Sequence, residues 1–430
     1  MVRTARTGAR PRHRVPRRPA IGAFGMTGPT TSRGRLALAL GLTSAVALFL
    51  AFVPLHRHWF DLNVYYEAVG HWLRDGRIYD FTIPGADGAD YGFTYPPFAA
   101  LCMLPMTLFS WPAAITLSMV LNVAASATLL TWLIGPIVQR HGWNKWFAFV
   151  VASCLFALLE PVRDTFSFGQ VNLLLLVLVF FDAWLLSTGR GRFAGYGIGL
   201  AAAIKLTPAI FICYLLITRR WRAAATATGT AAAATLLALA VAPGASRVYW
   251  TQALWDTDRI GVLSYVSNQS WEGVLARLVD PVPPSGVVWG LGVLAVLAVW
   301  AHRVRCAAAV GDERAGFALT GIAACLISPI TWVHHLVWLI PALAVLVDSG
   351  LRPDAPPARR KLLLRVGAVV YVLLCSSVVW LWRFDSTGVD GFLGSNAYVW
   401  ICLGLLIALP LRGARSAEML SQEPHPARIP

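Results

Sequence analysis

The sequence predicts an all-α polytopic membrane protein, a bundle of about 12 transmembrane helices. Of its 430 residues, 57% are hydrophobic and 13% are charged, about half the charged fraction of a soluble domain. The hydrophobic residues form runs of the length that crosses a bilayer, about 20 residues, or fewer where a helix is packed inside a bundle. Short clusters of basic residues separate these runs, which is typical of membrane topology signals. The chain is therefore integral to the membrane and not a soluble domain with an anchor.

Two short apolar stretches decide how many times the chain crosses the membrane. The stretch 96–109 contains Pro105 and is predicted to be an interfacial or re-entrant helix. The pair 194–204 and 208–218 is interrupted by Lys205 and Pro208, which predicts a half-length hairpin. The predicted membrane segments are 36–55, 112–138, 146–160, 171–187, 194–204, 208–218, 223–242, 286–302, 315–328, 335–350, 366–382 and 397–411.

The distribution of charge predicts the orientation of these segments. With the N-terminus inside, 27 of the 36 basic residues fall on the inner side and nine on the outer side, whereas 14 of the 21 acidic residues fall outside. One missed span would move every later loop to the other side, so the bias supports the whole scheme. It predicts a disordered basic cytosolic tail at 1–35, a membrane domain at 36–411 and a cytosolic C-terminal tail at 412–430. The membrane domain has a long first outer loop at 56–111, with interfacial helices, and a second at 243–285.

The net charge of +15 does not indicate a nucleic-acid partner. The basic residues are dispersed between apolar runs and are not gathered into a patch with stacking aromatic residues. The seven cysteines lie in or beside apolar segments, are odd in number and have no metal-ligand spacing. They are interpreted as small core residues, with neither disulfides nor a metal site.

On this topology the dense polar motifs all fall on the outer face. They come from six separate connections, and a structural protein has no need to concentrate a carboxylate, several cations and amides at one surface. The pattern predicts a site at the bilayer surface that takes a substrate with a charged headgroup. The motifs are Asp61, the segment 95–98, Arg163 with Asp164, the segment 169–172, Lys205, the segment 256–259, the segment 267–270 and the segment 328–335.

Asp61 and Lys205 each have two possible roles. Asp61 precedes a predicted loop helix at 62–73, and aspartate is a preferred N-cap, so capping and catalysis are equally open. Lys205 stands among Ala and Ile, where a lysine costs about 2.5–3.5 kcal/mol at a helix centre, so it either extends to the interface or binds an anion. The break at Thr207 and Pro208 leaves helix-terminal amides beside it, which favours the anion.

The histidine pair and the Arg163–Asp164 pair are less specific. Neighbouring residues on a helix point about 100° apart, so His334 and His335 are poorly placed to share a metal, and one is expected to face the site and the other the bundle. The adjacent Arg163 and Asp164 are either a site cation with its neighbour or a surface ion pair of little energetic value.

Two loop motifs have equally weak signals. Asp256 and Asp258 resemble the short acidic motif of metal-dependent sugar-nucleotide transferases, but no further carboxylate stands near them, so no metal is assigned. Asn268 and Gln269 either hydrogen-bond sugar hydroxyls or form a turn.

Taken in order, these stretches resemble the polyprenol-phosphate-mannose-dependent mannosyltransferases of glycosyltransferase family 87, which have the GT-C fold. The resemblance runs over about residues 55–345 and is carried by 60–66, 93–98, 169–172, 205–208, 259–261, 267–270 and 328–335. It implies an α-(1→2)-mannosyltransferase that builds phosphatidylinositol mannosides, lipomannan or lipoarabinomannan at the plasma membrane, with its active site facing the periplasm. GT-C enzymes carry an acidic general base in the first outer loop, and Asp61 matches it.

The chemistry implied by this resemblance uses a lipid-phosphate-linked sugar, which already has a good leaving group. One base takes the proton of the acceptor hydroxyl, and cations stabilise the departing phosphate, so the transfer is single-step and inverting. The expected partners are polyprenyl-phosphate-mannose, a mannosylated lipid or glycan acceptor and membrane lipids, with no metal cofactor. Asp61 is assigned as the base. The assigned phosphate and sugar contacts are Lys205, Arg163, Arg259, His334, His335, Gln170, Asn172, Tyr95, Asn268 and Gln269.

Two alternatives stay open at the level of sequence. A lipid-linked sugar flippase or transporter needs ionisable or polar groups inside the spans and facing both sides, whereas here Asp182 is the one acidic residue in mid-span. An enzyme of the same fold that transfers another sugar, such as arabinofuranose, is also compatible, because sugar identity depends on the shape of the pocket. The acceptor and the oligomeric state are not predicted.

Overall fold

The computed structural model describes residues 31–53, 58–85 and 90–412. The predicted tails therefore lie almost wholly outside the described residues. Eighteen α-helices account for most of the described chain. In chain order, α1 to α18 are Ser32–Phe52, Phe60–Asp75, Pro97–Met103, Trp111–His141, Lys145–Leu158, Glu160–Phe168, Asn172–Ser187, Tyr196–Ile204, Ile210–Ile217, Trp221–Val241, Pro243–Val248, Trp271–Val279, Gly286–Ala309, Glu313–Ile327, Ile340–Leu351, Pro357–Ser376, Gly388–Ser395 and Ala397–Ala408. Shorter 3₁₀ turns lie at Leu104–Leu108, Gly191–Phe193, Thr207–Ala209, Thr257–Ile260, Val333–Leu339 and Val378–Trp382, and a π turn lies at Tyr249–Ala253.

The helices agree with a membrane protein, although fewer than twelve are long enough to cross alone. In the described part of the chain five helical stretches are long and apolar enough: Ser32–Phe52, Trp111–His141, Trp221–Val241, Gly286–Ala309 and Val333–Leu351. Two bent pairs raise the number to seven: α5 with α6, bent by 73°, and α17 with α18, bent by 60°. The total of twelve spans and the cytosolic side of the termini stay predictions.

The predicted membrane segment 366–382 is not one continuous helix, because α16 ends within it. The helix begins at Pro357, a residue favoured in the first helical turn, so the basic cluster before the predicted span belongs to the helix itself. It ends at Ser376 because Ser377 takes the left-handed conformation, with φ 56°. A 3₁₀ turn, Val378–Trp382, follows.

The core of the bundle is formed by α7, α14 and the stretch Val333–Leu351. Every residue of α14 from Ala315 to Leu326 is buried. Small residues permit this, since a Cβ on Gly316 would lie 2.6 Å from the Tyr214 hydroxyl. Only 6% of the residues in the apolar stretch of the peripheral helix Ser32–Phe52 are buried in the protein, against 89% in that of Val333–Leu351. Peripheral helices thus present apolar surface to lipid, and the central ones position the site.

The segment 56–111, the predicted first outer loop, contains a helix and a small sheet in its described part. The predicted loop helix is present as α2, Phe60–Asp75. The loop also forms an antiparallel hairpin of β1, Thr82–Pro84, and β2, Asp90–Gly92, which a purely α-helical prediction missed. Its strands have only three residues each, too short for a two-residue alternation to stand out in the sequence.

The mid-span acid Asp182 has a structural partner. It is fully buried on α7, and its Oδ2 accepts a hydrogen bond of 2.7 Å from the backbone N–H of Ile198 in the first turn of α8. Gly197 lets the two helices meet, because a Cβ there would lie 2.0 Å from the Leu178 carbonyl oxygen. Asp182 therefore accepts a hydrogen bond from the N-terminus of a neighbouring helix, so this carboxylate is used within the fold.

The predicted orientation can be tested by thiol labelling in a cysteine-free background. Cysteine at Asp80, exposed in the first outer loop, is expected to react with an impermeant maleimide added to intact cells. Cysteine at Arg192, exposed between α7 and α8, is expected to react only after the cells are permeabilised. Equal labelling of both positions in intact cells would contradict the orientation.

Candidate active site

The position of Asp61 is set by the way α2 begins. Trp59, with φ 44°, is the N-cap residue, and its backbone N–H donates to the Ser167 carbonyl at 3.0 Å. Gly169 lies against Leu62 so closely that a Cβ on it would be 2.6 Å from the Leu62 Cβ. The start of α2 is thereby held on the turn between α6 and α7. Asp61 is in the first helical turn and is not the cap, so the capping alternative is wrong.

Asp61 is bound by the amide of Gln170. Gln170 Nε2 donates to Asp61 Oδ2 at 2.6 Å, and Gln170 Oε1 accepts from the Tyr95 hydroxyl at 3.1 Å. The acceptor bond fixes which end of the amide faces the carboxylate. Gln170 is buried and its backbone N–H is held by the Thr165 carbonyl at 2.9 Å. The carboxylate is therefore oriented by a fixed donor, and its other oxygen, Oδ1, accepts no hydrogen bond from the described residues.

Tyr95 links the carboxylate to the cation of the site. Its hydroxyl is 2.9 Å from that of Tyr65, and its backbone carbonyl accepts from the Tyr79 hydroxyl at 2.8 Å. Tyr65 lies four residues after Asp61, on the same side of α2. Lys205 Nζ donates to the Tyr95 hydroxyl at 3.4 Å and lies 5.1 Å from the centre of the Tyr95 ring. Two tyrosines of the first outer loop thus form one wall between Asp61 and Lys205.

Lys205 ends α8 and reaches into the centre of the site. It is the C-cap residue, with an extended backbone, so the chain leaves the helix at this point. Its Nζ donates to Asn172 Oδ1 at 3.2 Å and lies 2.9 Å from His335 Nε2. Asn172 Nδ2 in turn donates to the His334 carbonyl at 3.3 Å. The ammonium group therefore sits among neutral partners, with no ion pair to any described carboxylate.

The contact between Lys205 and His335 brings two donors together. The backbone N–H of Trp332 donates to His335 Nδ1 at 3.1 Å, so Nδ1 carries a lone pair and the proton of the neutral ring is on Nε2. That N–H faces the ammonium group of Lys205. An anionic oxygen placed to one side, within reach of both nitrogens, would accept from both, which makes this the natural position for a phosphate.

Burial shifts the charges of the site. Burial raises the pKa of Asp61 to about 6, against the opposing effects of the Gln170 hydrogen bond and the positive charge of Lys205. Burial lowers the pKa of Lys205 to about 8, against the opposing effect of Asp61. A carboxylate with a pKa near neutrality is well suited to take a proton and still be largely ionised at pH 7.

The predicted cations Arg163 and Arg259 are used elsewhere. Arg163 donates to the Cys375 carbonyl at 2.9 Å and to Ser377 Oγ at 3.1 Å, so it ties α6 to the end of α16. Arg259 donates to the Tyr79 carbonyl and holds the second outer loop on the first. Neither has a described contact with Asp61 or Lys205.

The amides of Asn268 and Gln269 are also bonded within the protein. Asn268 donates to the Leu263 and Pro329 carbonyls at 3.0 and 3.2 Å and accepts from two backbone N–H groups. Gln269 donates to the Val266 and Ser395 carbonyls, both at 2.7 Å. Both side chains are fully buried, so they order the loop in front of the site.

Of the histidine pair, His335 faces the site and His334 faces the bundle. His334 packs against Phe168, with ring centroids 5.4 Å apart, and its Nε2 is buried without a described hydrogen-bond partner. The structure thus brings together six of the predicted site residues: Asp61, Tyr95, Gln170, Asn172, Lys205 and His335. It adds Tyr65, whose spacing from Asp61 was the available signal, and Trp332, which acts through its backbone. Across residues 31–53, 58–85 and 90–412, no three or more His, Cys, Asp or Glu side chains are grouped as a metal site.

Comparison with known proteins identifies the family. Residues 93–329, more than half of the chain, match glycosyltransferase family 87. The chain is 32% identical over 379 residues to a polyprenol-phosphate-mannose-dependent α-(1-2)-phosphatidylinositol mannoside mannosyltransferase of Mycobacterium tuberculosis, covering 82% of this chain and 84% of that one. It is 33% identical over 349 residues to a polyprenol-phosphate-mannose-dependent α-(1-2)-phosphatidylinositol pentamannoside mannosyltransferase of Mycolicibacterium smegmatis, covering 77% and 81%. No solved structure matches the chain. The match and these identities show that the chain belongs to glycosyltransferase family 87 and is a glycosyltransferase.

Proposed function

We propose that this enzyme transfers mannose from polyprenyl-phosphate-mannose to a mannosylated acceptor on the outer face of the plasma membrane, forming an α-(1→2) linkage. The observation that carries this proposal is that a carboxylate, Asp61, lies near two hydrogen-bond donors suited to a phosphate, Lys205 Nζ and His335 Nε2. Hydrogen bonds through Gln170 and Tyr95 connect the carboxylate to Lys205. The activities of the named relatives support the donor, the linkage and a phosphatidylinositol mannoside as the acceptor. The asymmetry of basic residues supports the outer face.

In the proposed reaction Asp61 acts as the general base. An acceptor hydroxyl gives its proton to the carboxylate while its oxygen bonds to the anomeric carbon of mannose. The bond from that carbon to the phosphate oxygen breaks on the opposite face, and the polyprenyl phosphate leaves with the electron pair. One displacement inverts the anomeric carbon, so a β-linked mannosyl phosphate gives an α-mannoside.

The phosphate leaves toward Lys205 and His335. Both groups donate hydrogen bonds, and the negative charge on the phosphate grows as the bond breaks, so their stabilisation is greatest in the transition state. Asn172 positions Lys205, and Trp332 fixes the tautomer of His335. No step in this scheme uses a metal ion, and we propose that the enzyme needs none.

The donor is tested with purified protein in liposomes. Labelled mannose from polyprenyl-phosphate-mannose is expected to enter a phosphatidylinositol mannoside acceptor, and neither GDP-mannose nor polyprenyl-phosphate-arabinofuranose is expected to replace it. Preferential use of arabinofuranose would favour the alternative that the enzyme has the same fold but transfers arabinofuranose. One relative, an α-(1->3)-arabinofuranosyltransferase of Corynebacterium glutamicum, is 22% identical over 248 residues, covering 55% of this chain and 56% of that one.

The pKa values predict a bell-shaped pH dependence of kcat/KM. Asp61 must be ionised to accept a proton, so activity is expected to rise as the pH increases through about 6. Lys205 must be protonated to stabilise the phosphate, so activity is expected to fall as the pH increases through about 8. Measuring kcat/KM between pH 5 and 9 checks both limbs. A profile that stays flat from pH 5 to 7 would exclude Asp61 as the titrating base.

A further inference from the structure

A cavity of about 470 Å³ lies at the other end of the bundle from Asp61. It is enclosed by α4, α5, α7 and the start of α14. The helix α7 shows the separation: it begins at Asn172, beside Lys205, and ends at Ser187, which lines the cavity. Sixteen residues of helix rise about 24 Å. The cavity is therefore remote from the proposed transfer reaction, and on the predicted topology it opens toward the cytosolic leaflet.

The walls of this cavity are largely aromatic and aliphatic. Trp132 and Trp184 are stacked at its side, with ring centroids 6.3 Å apart, and Phe149 and Phe180 complete the wall. Gly135 faces open space, because a Cβ on it would meet no atom within 4 Å. Paired tryptophans near the end of a span are typical of the level at which lipid headgroups meet acyl chains. A water-soluble anion would leave this wall uncovered.

The acidic residues near the cavity already have hydrogen-bond or ion-pair partners within the protein. Glu313 pairs with Arg220, and Asp312 accepts from the backbone N–H groups of Ala315 and Arg412. Asp348 accepts from Arg140 and, at 2.5 Å, from Arg412. These bonds link α4, α10, α14 and α15 at one end of the bundle.

Two cations remain at the cavity without such partners. Arg314 lines it, is half-buried, and makes no hydrogen bond or ion pair to any described residue. Lys145, the first residue of α5, lies exposed at its rim and is likewise unbonded within the described chain. The pKa of Arg314 is lowered by burial and by the neighbouring Arg412 and Arg140, against the opposing effects of Asp348 and Asp312. A half-buried cation without a partner is costly and favours an anionic ligand.

We propose that this cavity binds an anionic glycerophospholipid from the leaflet opposite the active site. Arg314 and Lys145 hold the lipid phosphate, and part of an acyl chain lies against Trp132 and Trp184. Basic pockets between transmembrane helices on the cytoplasmic side are suited to anionic headgroups, and that leaflet supplies them. The proposal is independent of the sugar that the enzyme transfers.

The test counts lipids bound to the purified full-length protein by native mass spectrometry. The protein in detergent is titrated with phosphatidylglycerol and, separately, with phosphatidylcholine. The wild type is expected to bind one phosphatidylglycerol at least tenfold more tightly than phosphatidylcholine. Arg314→Gln removes one charge-assisted hydrogen bond, worth about 1.5–3 kcal/mol, and is expected to weaken phosphatidylglycerol binding about 10- to 150-fold.

Two further variants make the result decisive. Gly135→Leu keeps both cations and fills the cavity, so it is expected to lose the bound phosphatidylglycerol even if Arg314→Gln folds poorly. Arg305→Gln removes an exposed charge from the same end of the bundle, outside the cavity, and is expected to bind as the wild type does. Unchanged phosphatidylglycerol binding in Gly135→Leu, or equal binding of both lipids by the wild type, would overturn the proposal. Displacement of phosphatidylglycerol by a lower concentration of polyprenyl phosphate would overturn it too, because the cavity would then belong to another lipid class.

Discussion

Asp61→Asn is expected to give a folded protein that binds the lipid donor and transfers mannose about 10²–10⁴ times more slowly than the wild type. Asn at this position still accepts the hydrogen bond from Gln170, so the contact between α2 and the start of α7 is kept. The N-cap of α2 is Trp59, so helix initiation does not depend on the carboxylate. The substitution removes only the proton acceptor, and single-turnover transfer with labelled donor measures the loss.

The matched control is Asp75→Asn, at the other end of the same helix. Asp75 pairs with His71 at the protein surface, 2.9 Å apart, and its loss is expected to leave transfer near the wild-type rate. Donor binding is measured separately for each variant, so that a loss of chemistry is distinguished from a loss of substrate. Substantial transfer by Asp61→Asn would place the base elsewhere, with Asp164 the next carboxylate near this face.

Lys205→Met is expected to have the second largest effect and to act on the donor. Met retains an apolar stem of similar length but no charge, so the phosphate loses one charge-assisted hydrogen bond. Such a bond is worth about 1.5–3 kcal/mol, which corresponds to about 10- to 150-fold in the Kd for polyprenyl-phosphate-mannose. The lysine also stabilises the departing phosphate, so kcat is expected to fall as well.

Lys361→Met is the control for this variant, because Lys361 is exposed near the start of α16 and far from the site. Donor affinity and protein abundance are measured together. If Lys205→Met lowered abundance and left both Kd and kcat of the remaining protein unchanged, the lysine would be structural and the phosphate position between it and His335 would be wrong.

The sequence was sufficient to predict that polar residues from separate connections lie together. Asp61, Gln170, Lys205 and His335 each stand at the end of an apolar segment, and the predicted topology places those ends on one face. Helix ends on the same face of a bundle meet when their helices pack together, and these residues do form one hydrogen-bonded group. Tyr95 follows from the same reasoning, since it precedes the short helix at 97–103.

The sequence was not sufficient to show which polar residues point into that site. Arg163 finds its partners in Cys375 and Ser377, more than 200 positions away, and no local pattern indicates a carbonyl group from a distant helix. Asn268 and Gln269 are bound by backbone groups that only the folded loop brings near.

The exact ends of two helices could not be predicted from the sequence either. Trp59 and Ser377 take the left-handed conformation, which is uncommon for residues other than glycine, so neither the start of α2 nor the end of α16 was marked. The hypothesis that Asp61 is the N-cap was wrong for this reason, because aspartate is a preferred cap and tryptophan, the residue found there, is not.

The central claim is a single displacement in which Asp61 takes a proton and the phosphate leaves toward Lys205 and His335. The most direct test is the anomeric configuration of the product, determined by NMR after the purified enzyme has transferred ¹³C-labelled mannose from β-linked polyprenyl-phosphate-mannose. The account predicts an α-mannoside and no mannosyl-enzyme at any time in the reaction. A β-mannoside, or a mannosyl ester trapped on Asp61, would show that the carboxylate is a nucleophile in a two-step reaction and would contradict the account.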